Sequence, residues 1–206
     1  MASDSVRPTR NNAPWYARIK EHLLSSAEVQ RRTADGGVES IFAAAQLLVA
    51  CFRSNNKALI CGNGGSAADA QHMAAEFMNR LQAHVDRPGL PAIALTTDTS
   101  FLTSYANDFG YEGVFERQVL ALGAPDDVLI AISTSGNSDN VVRAVHAARQ
   151  KGVKTIGLSG EGGTLTGIVD QAIVVPSRDT QHIQEALLAI EHIMCVAVEE
   201  ILFGIS

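Results

Sequence analysis

The chain has 206 residues, enough for one domain with a substantial buried core. Apolar residues make up 46% and charged residues 18%, as in ordinary globular proteins, and the net charge of −6 excludes a nucleic-acid surface built on bulk positive potential. Cys51, Cys61 and Cys195 are scattered through apolar stretches with no CxxC pair, which excludes a disulfide frame or thiolate zinc site and predicts reduced core thiols in a cytoplasmic protein.

Residues 1–14 are polar without an apolar run of signal-peptide type, and are expected to be a flexible tail before a single domain over 15–206. Two amphipathic helical stretches follow. Residues 15–35 place Tyr16, Ile19, His22, Leu23 and Ala27 along one stripe. Residues 36–55 carry the run IFAAAQLLVACF, too short for a membrane span and suited to a buried helix. Five short apolar runs then alternate with helical segments, at 57–61, 91–95, 127–133, 154–159 and 171–175. They are continuous rather than alternating, the pattern of strands buried on both faces. This rhythm predicts an α/β fold: a doubly wound, mainly parallel five-stranded sheet flanked by helices, with an N-terminal helical extension. A long helix from about Thr180 to Leu202 closes the chain.

Open parallel sheets bind ligands beyond the C-terminal ends of their strands. The loop CGNGGSAAD follows the first strand. Gly62, Gly64 and Gly65 permit positive φ and close backbone approach, and the helix opening near Ser66 offers unpaired N–H groups. Gly62, Gly64 and Ala67 also fit a dinucleotide fingerprint. The available acid, Asp98, lies 36 positions beyond Gly62, however, where that motif wants one at about 20. The second loop is STSGNS, residues 133–138. Ser133, Thr134, Ser135 and Ser138 supply hydroxyls, Gly136 permits the turn, and no lysine follows to make a nucleotide P-loop. Four hydroxyls exceed what a helix cap requires and suit a phosphate monoester held at a helix N-terminus.

His72 and Glu76 are four residues apart on one helical face and can chelate a divalent metal, with Asp69 one turn earlier placed to orient the histidine. On the last helix, Gln184 and His192 are apolar-flanked polar residues that need partners, although His192 alone would equally be a satisfied core histidine. Their separation, about 80° around and ~12 Å along an ideal helix, is awkward for one shared metal. Either the helix starts irregularly near Gln184, or one residue has another role or acts across a subunit interface.

Taken together, CGNGGSAADAQH with Glu76, RPGLPAIALTTDTS, ANDFGYEGVF, DDVLIAISTSGNS and PSRDTQHIQE followed by His192 resemble the sugar isomerase (SIS) domain family, more narrowly the phosphoheptose isomerases. The likeness runs from about residue 15 through nearly the whole chain. It implies isomerisation of sedoheptulose 7-phosphate to D-glycero-D-manno-heptose 7-phosphate through an enediol(ate), the first step of bacterial heptose biosynthesis. It also implies one Zn2+ per subunit on His72, Glu76, Gln184 and His192, with Glu76 and His192 as the acid–base pair in an unassigned order. Substrate would be held by Asn63, Gly64, Gly65, Ser66, Glu76, Asn107, Asp108, Ser133, Thr134, Ser135, Ser138 and Gln184. The expected assembly is a cytoplasmic homotetramer with active sites at subunit interfaces and neither nucleic-acid nor membrane partners. Two positions depart from the family pattern. Leu187 stands where histidine is frequent, and His182, read as a surface residue, stands where Arg or Lys is common. Two rival readings belong to similar proteins: a non-catalytic binder of the bacterial replication initiator, and a sugar-phosphate sensor. The first would lack the acid–base residues that this chain keeps, and the second is usually joined to a basic helix-turn-helix that is not found here.

Overall fold

The computed structural model describes residues 12–204, so most of the expected tail lies outside the described residues. Helix α1 (Ala13–Arg53) opens two residues inside that stretch and runs unbroken where the sequence suggests two pieces. Gly36 and Gly37 each cost a helix roughly 1 kcal/mol, but packing on either side carries the helix through them. Gly37 is itself buried, with the Thr33 side chain 3.5 Å from where its Cβ would stand. The apolar stripe is also shifted from expectation. Burial starts at Ser26 and continues through Val29, Ile41, Leu48 and Phe52, whereas Tyr16, Ile19 and Leu23 are more than half exposed. By length and mean hydropathy (1.3 over 18 residues) α1 could cross a membrane, yet in this fold it packs on α6 and β5.

The five expected runs form β1 (Ala58–Cys61), β2 (Ala92–Ala94), β3 (Val128–Ile132), β4 (Lys154–Ser159) and β5 (Gln171–Val174). All neighbours are parallel, in the order β2-β1-β3-β4-β5. Successive side chains enter opposite layers, which explains the unbroken hydrophobicity of the central strands. Ala58 and Ile60 pack with α1, α2 (Gly65–Met78) and α6 (Thr180–Phe203). Leu59 and Cys61 pack with α4 (Val114–Leu122) and α5 (Asp139–Gln150), beside α3 (Thr99–Phe109). All three cysteines are free and buried, and burial pushes the Cys51 and Cys61 thiols up to about 12.

Because α2 and α5 leave neighbouring strands toward opposite layers, their N-termini flank the crevice where strand order reverses. A buried ion pair braces one wall of this crevice. Arg87 meets Glu199 of α6 at 2.9 Å and donates at 2.8 Å to the carbonyls of Glu76 and Phe77, tying the end of α2 to α6. At the opposite, N-terminal ends of β1 and β3, Lys57 pairs with buried Asp127 at 2.6 Å.

Candidate functional site

Both loops that the sequence singles out border the crevice, and they are tied to each other. Asn63 of the glycine loop exchanges amide hydrogen bonds with buried Asn140 in the first turn of α5, at 2.8 and 2.9 Å. The Tyr111 hydroxyl donates to Asn63 Oδ1 at 3.2 Å. Asn140 escaped the sequence reading, although it stands one turn before Ala144 on the buried stripe of α5 and so announces a polar group needing a partner. Gly64 has φ +56° and caps α2 with no side-chain cap, leaving the first-turn N–H groups to the crevice.

In the serine loop, Ser138 is the N-cap of α5, but its hydroxyl makes no cap bond. It lies 3.0 Å from Ser133 Oγ, which in turn is 3.4 Å from Ser135 Oγ. Three hydroxyls therefore cluster at an uncapped helix N-terminus, around a turn that needs φ +66° at Gly136. The segment after β4 fastens this loop from behind: Gly160 N–H donates to Thr134 O and Leu165 N–H to Gly136 O.

The metal-type residues converge between α2 and α6. His72 Nε2 and His192 Nε2 are 2.8 Å apart, with the rings edge-on, and Glu76 Oε1 is 3.7 Å from His72 Nε2. Helix α6 starts regularly at Thr180, N-capped by Asp179, so an irregular start near Gln184 is excluded. Instead Gln184 donates its amide to Asp69, and its Oε1 lies only 2.5 Å from where a Cβ on Gly65 would stand. Asp69 thus orients Gln184 and not His72, and the Asp69–Gln184 and His72–His192 contacts form two rungs between the helices. Burial raises the Asp69 carboxyl to about 6, against the opposing effects of the Gln184 amide and of His72. Two ring nitrogens at 2.8 Å must share a proton or a cation. With the Glu76 carboxylate 3.7 Å from His72, they offer a donor set of zinc type in which Glu76 is the outlying member, while Gln184 is held by Asp69 on the neighbouring rung.

Other residues fall differently from expectation. Asn107 and Asp108 sit exposed at the end of α3 and bond to each other at 2.8 Å, with no side-chain hydrogen bond to another candidate among the described residues. Asp98 caps α3 through Phe101 N–H, so the acid a dinucleotide site would need is spent on a helix terminus. Leu187 is core. His182 is no surface residue: its side chain is 11% exposed and lies 3.2 Å from Glu185, which His22 also reaches. Next to His192, buried Glu191 has no hydrogen-bond partner for either oxygen. Burial first, and then the charge of Asp69, push it up to about 9, so it is a neutral acid at pH 7.

Residues 21–160 match the SIS domain family. The chain is 52% identical over 186 residues to the phosphoheptose isomerase of Roseiflexus sp. (strain RS-1), covering 90% of this chain and 93% of that protein. It superposes on the structure of the phosphoheptose isomerase from Neisseria gonorrhoeae with a TM-score of 0.85, at 41% identity over 90% of this chain and 99% of that one. For the phosphoheptose isomerase from Francisella tularensis the TM-score is 0.86 at 36% identity, over 90% and 98%.

Proposed function

The chain belongs to the SIS-domain family, and on that premise we propose that it is an aldose–ketose isomerase converting sedoheptulose 7-phosphate to D-glycero-D-manno-heptose 7-phosphate. The observation that carries this reading is likeness to phosphoheptose isomerases, in sequence and in fold, over nine-tenths of the chain. The crevice supports it. Ser133, Thr134, Ser135 and Ser138 take the phosphate at the α5 N-terminus, where clustered hydroxyls and uncapped N–H groups suit a dianion. Asn63, Gly64, Gly65 and Ser66 line the path of the sugar chain toward α2. Asn107 and Asp108 are assigned to substrate by the resemblance alone.

Isomerisation breaks a C–H bond at one of C1 and C2 and forms one at the other through an enediol(ate), so a base must remove the proton and return it. Glu76, one helical turn beyond His72 and, among the described residues, in no ion pair with arginine or lysine, takes that role. His192 handles the proton on the neighbouring oxygen. His72, Glu76, Gln184 and His192 would hold Zn2+, which when bound polarises the carbonyl and offsets the enediolate charge. Gln184 also contacts the substrate in this reading.

The assembly is a cytoplasmic homotetramer with the crevices at subunit interfaces. Large apolar side chains left more than half exposed on α1 and α6, including Trp15, Val38 and Ile193, support self-association. The test is aldose formation from sedoheptulose 7-phosphate by chelator-stripped and Zn2+-reloaded protein. Turnover restored by Zn2+ is expected; reloaded protein that does not turn over this ketose overturns the reading.

A further inference from the structure

Four of the six histidines stand in two touching pairs, each joining α6 to another helix: His72 of α2 with His192, and His22 of α1 with His182. The first pair belongs to the crevice. The second, His22 and His182, is assigned no step in the proposed isomerisation, yet it is the more tightly organised. His22 Nε2 lies 2.8 Å from Glu185 Oε1, and His182 Nδ1 lies 3.2 Å from Glu185 Oε2. The ring centroids are 4.5 Å apart with a 50° tilt. One donor atom from each of the three residues falls within 4.8 Å of both others.

Packing does not explain this convergence. His22 lies in the half of α1 whose apolar neighbours Ile19 and Leu23 point to solvent, so a polar contact joins α1 to the start of α6 there. His182 and Glu185 are three residues apart on α6 and share one face, while His22 arrives from 163 residues away in sequence. Two imidazoles and a carboxylate form a three-donor set that leaves one coordination position open. Donors at ~2.0–2.2 Å around a tetrahedral ion stand about 3.4 Å apart, a spacing near the 2.8 and 3.2 Å contacts that the two Glu185 oxygens make and within the 4.8 Å that bounds the three donor atoms.

We propose that His22, His182 and Glu185 form a second divalent-metal site, for Zn2+ or a comparable first-row ion, that clamps α1 onto the first turns of α6. The site is independent of the isomerase reading. It would also stiffen the turn that presents Gln184, one of the two residues between its α6 ligands, to Asp69.

The test is metal content, read by elemental analysis, of full-length protein stripped by chelator, loaded with Zn2+ and dialysed. The two sites together should hold about two Zn2+ per chain in the unaltered protein. His22→Ala and Glu185→Gln should each reduce this to about one, and His72→Ala with His192→Ala should also leave about one, now on the second site. Loss of all zinc in the His72/His192 variant would overturn the proposal, as would zinc content unchanged by His22→Ala. Should His22→Ala misfold, the imidazole resonances of His22 and His182 in the unaltered protein decide: shifts on adding Zn2+ support the site, and stationary signals overturn it.

Discussion

His72 and His192 meet where α2 packs on α6, beside the glycine loop; His22 and His182 meet where the exposed half of α1 passes the start of α6. Both pairs have a carboxylate at hand, but they hold it differently. Glu76 stands 3.7 Å from His72, on a helix whose far end is fixed by the buried Arg87–Glu199 pair. Glu185 is engaged by both of its histidines, at 2.8 and 3.2 Å, on a half-exposed surface where the buried ion pairs among the described residues do not reach. A carboxylate that stands off within a rigid frame has room to exchange between holding a metal and moving a proton, whereas one gripped from two sides is suited to holding a charge. In the roles proposed for them, the same residue types thus divide into a chemical and a clamping function by what surrounds them.

The largest effect should come from removing the free carboxylate. Glu76→Gln keeps shape and polarity but cannot accept the proton, so kcat for sedoheptulose 7-phosphate should fall about 10²–10⁴-fold with far-UV circular dichroism unchanged. An equal loss from Glu185→Gln would erase the distinction between the two carboxylates.

Next comes the brace. Arg87→Ala leaves the Glu199 charge buried without its partner and frees the carbonyls of Glu76 and Phe77. Urea unfolding should show a loss of about 3–5 kcal/mol. If the comparison is right, histidine NMR of the still-folded fraction will show His72 and His192 disturbed and His22 and His182 little changed. A variant as stable as the parent would show that the brace does not hold the α2–α6 junction.

What the sequence disclosed follows the same division. The strands and both ligand loops were legible because their signals are local: continuous apolar runs buried on two faces, and glycine or serine clusters at strand ends. The unbroken course of α1 was not, since Gly36 and Gly37 are local breakers that distant packing overrides. The partners of Asp69, Asn63 and His182 were hidden for a related reason. Each polar residue advertises its need for a hydrogen bond, but Gln184, Asn140 and His22 lie between 77 and 160 residues away, and only the fold brings them close.

A smaller effect tests how finely the first pair's surroundings are set. Gly65→Ala places a methyl group 2.5 Å from Gln184 Oε1, which must swing aside. The side chain is flexible at its end, so the melting temperature should barely move. Displacing a donor and its Asp69 contact should nevertheless cost about 10–100-fold in kcat/KM or zinc affinity. Full activity with full zinc content would remove Gln184 from the site.

The smallest effect comes from the far end of the sheet, where neither histidine pair is in contact. Burial alone would raise the Asp127 carboxyl, but hydrogen bonds from the Lys57 N–H and ammonium and from Ala124 N–H outweigh it, holding it below its ordinary 3.8. A carboxyl depressed by folding adds stability that is present above 3.8 and is lost as pH falls through the lower folded value. Asp127→Asn should therefore be less stable at neutral pH by roughly 1.5 kcal/mol, the low end of the scale for hydrogen bonds to charged groups, and the parent's advantage should shrink in strong acid. Urea midpoints between neutral pH and strong acid read this directly. Because Lys57 and Asp127 anchor the strand ends opposite the crevice, the substitution should lower stability without changing zinc content at either histidine pair. A loss of metal would mean that the pairs report on the whole sheet and not on their own surroundings, and the contrast between them would have to be sought in stability instead of local geometry.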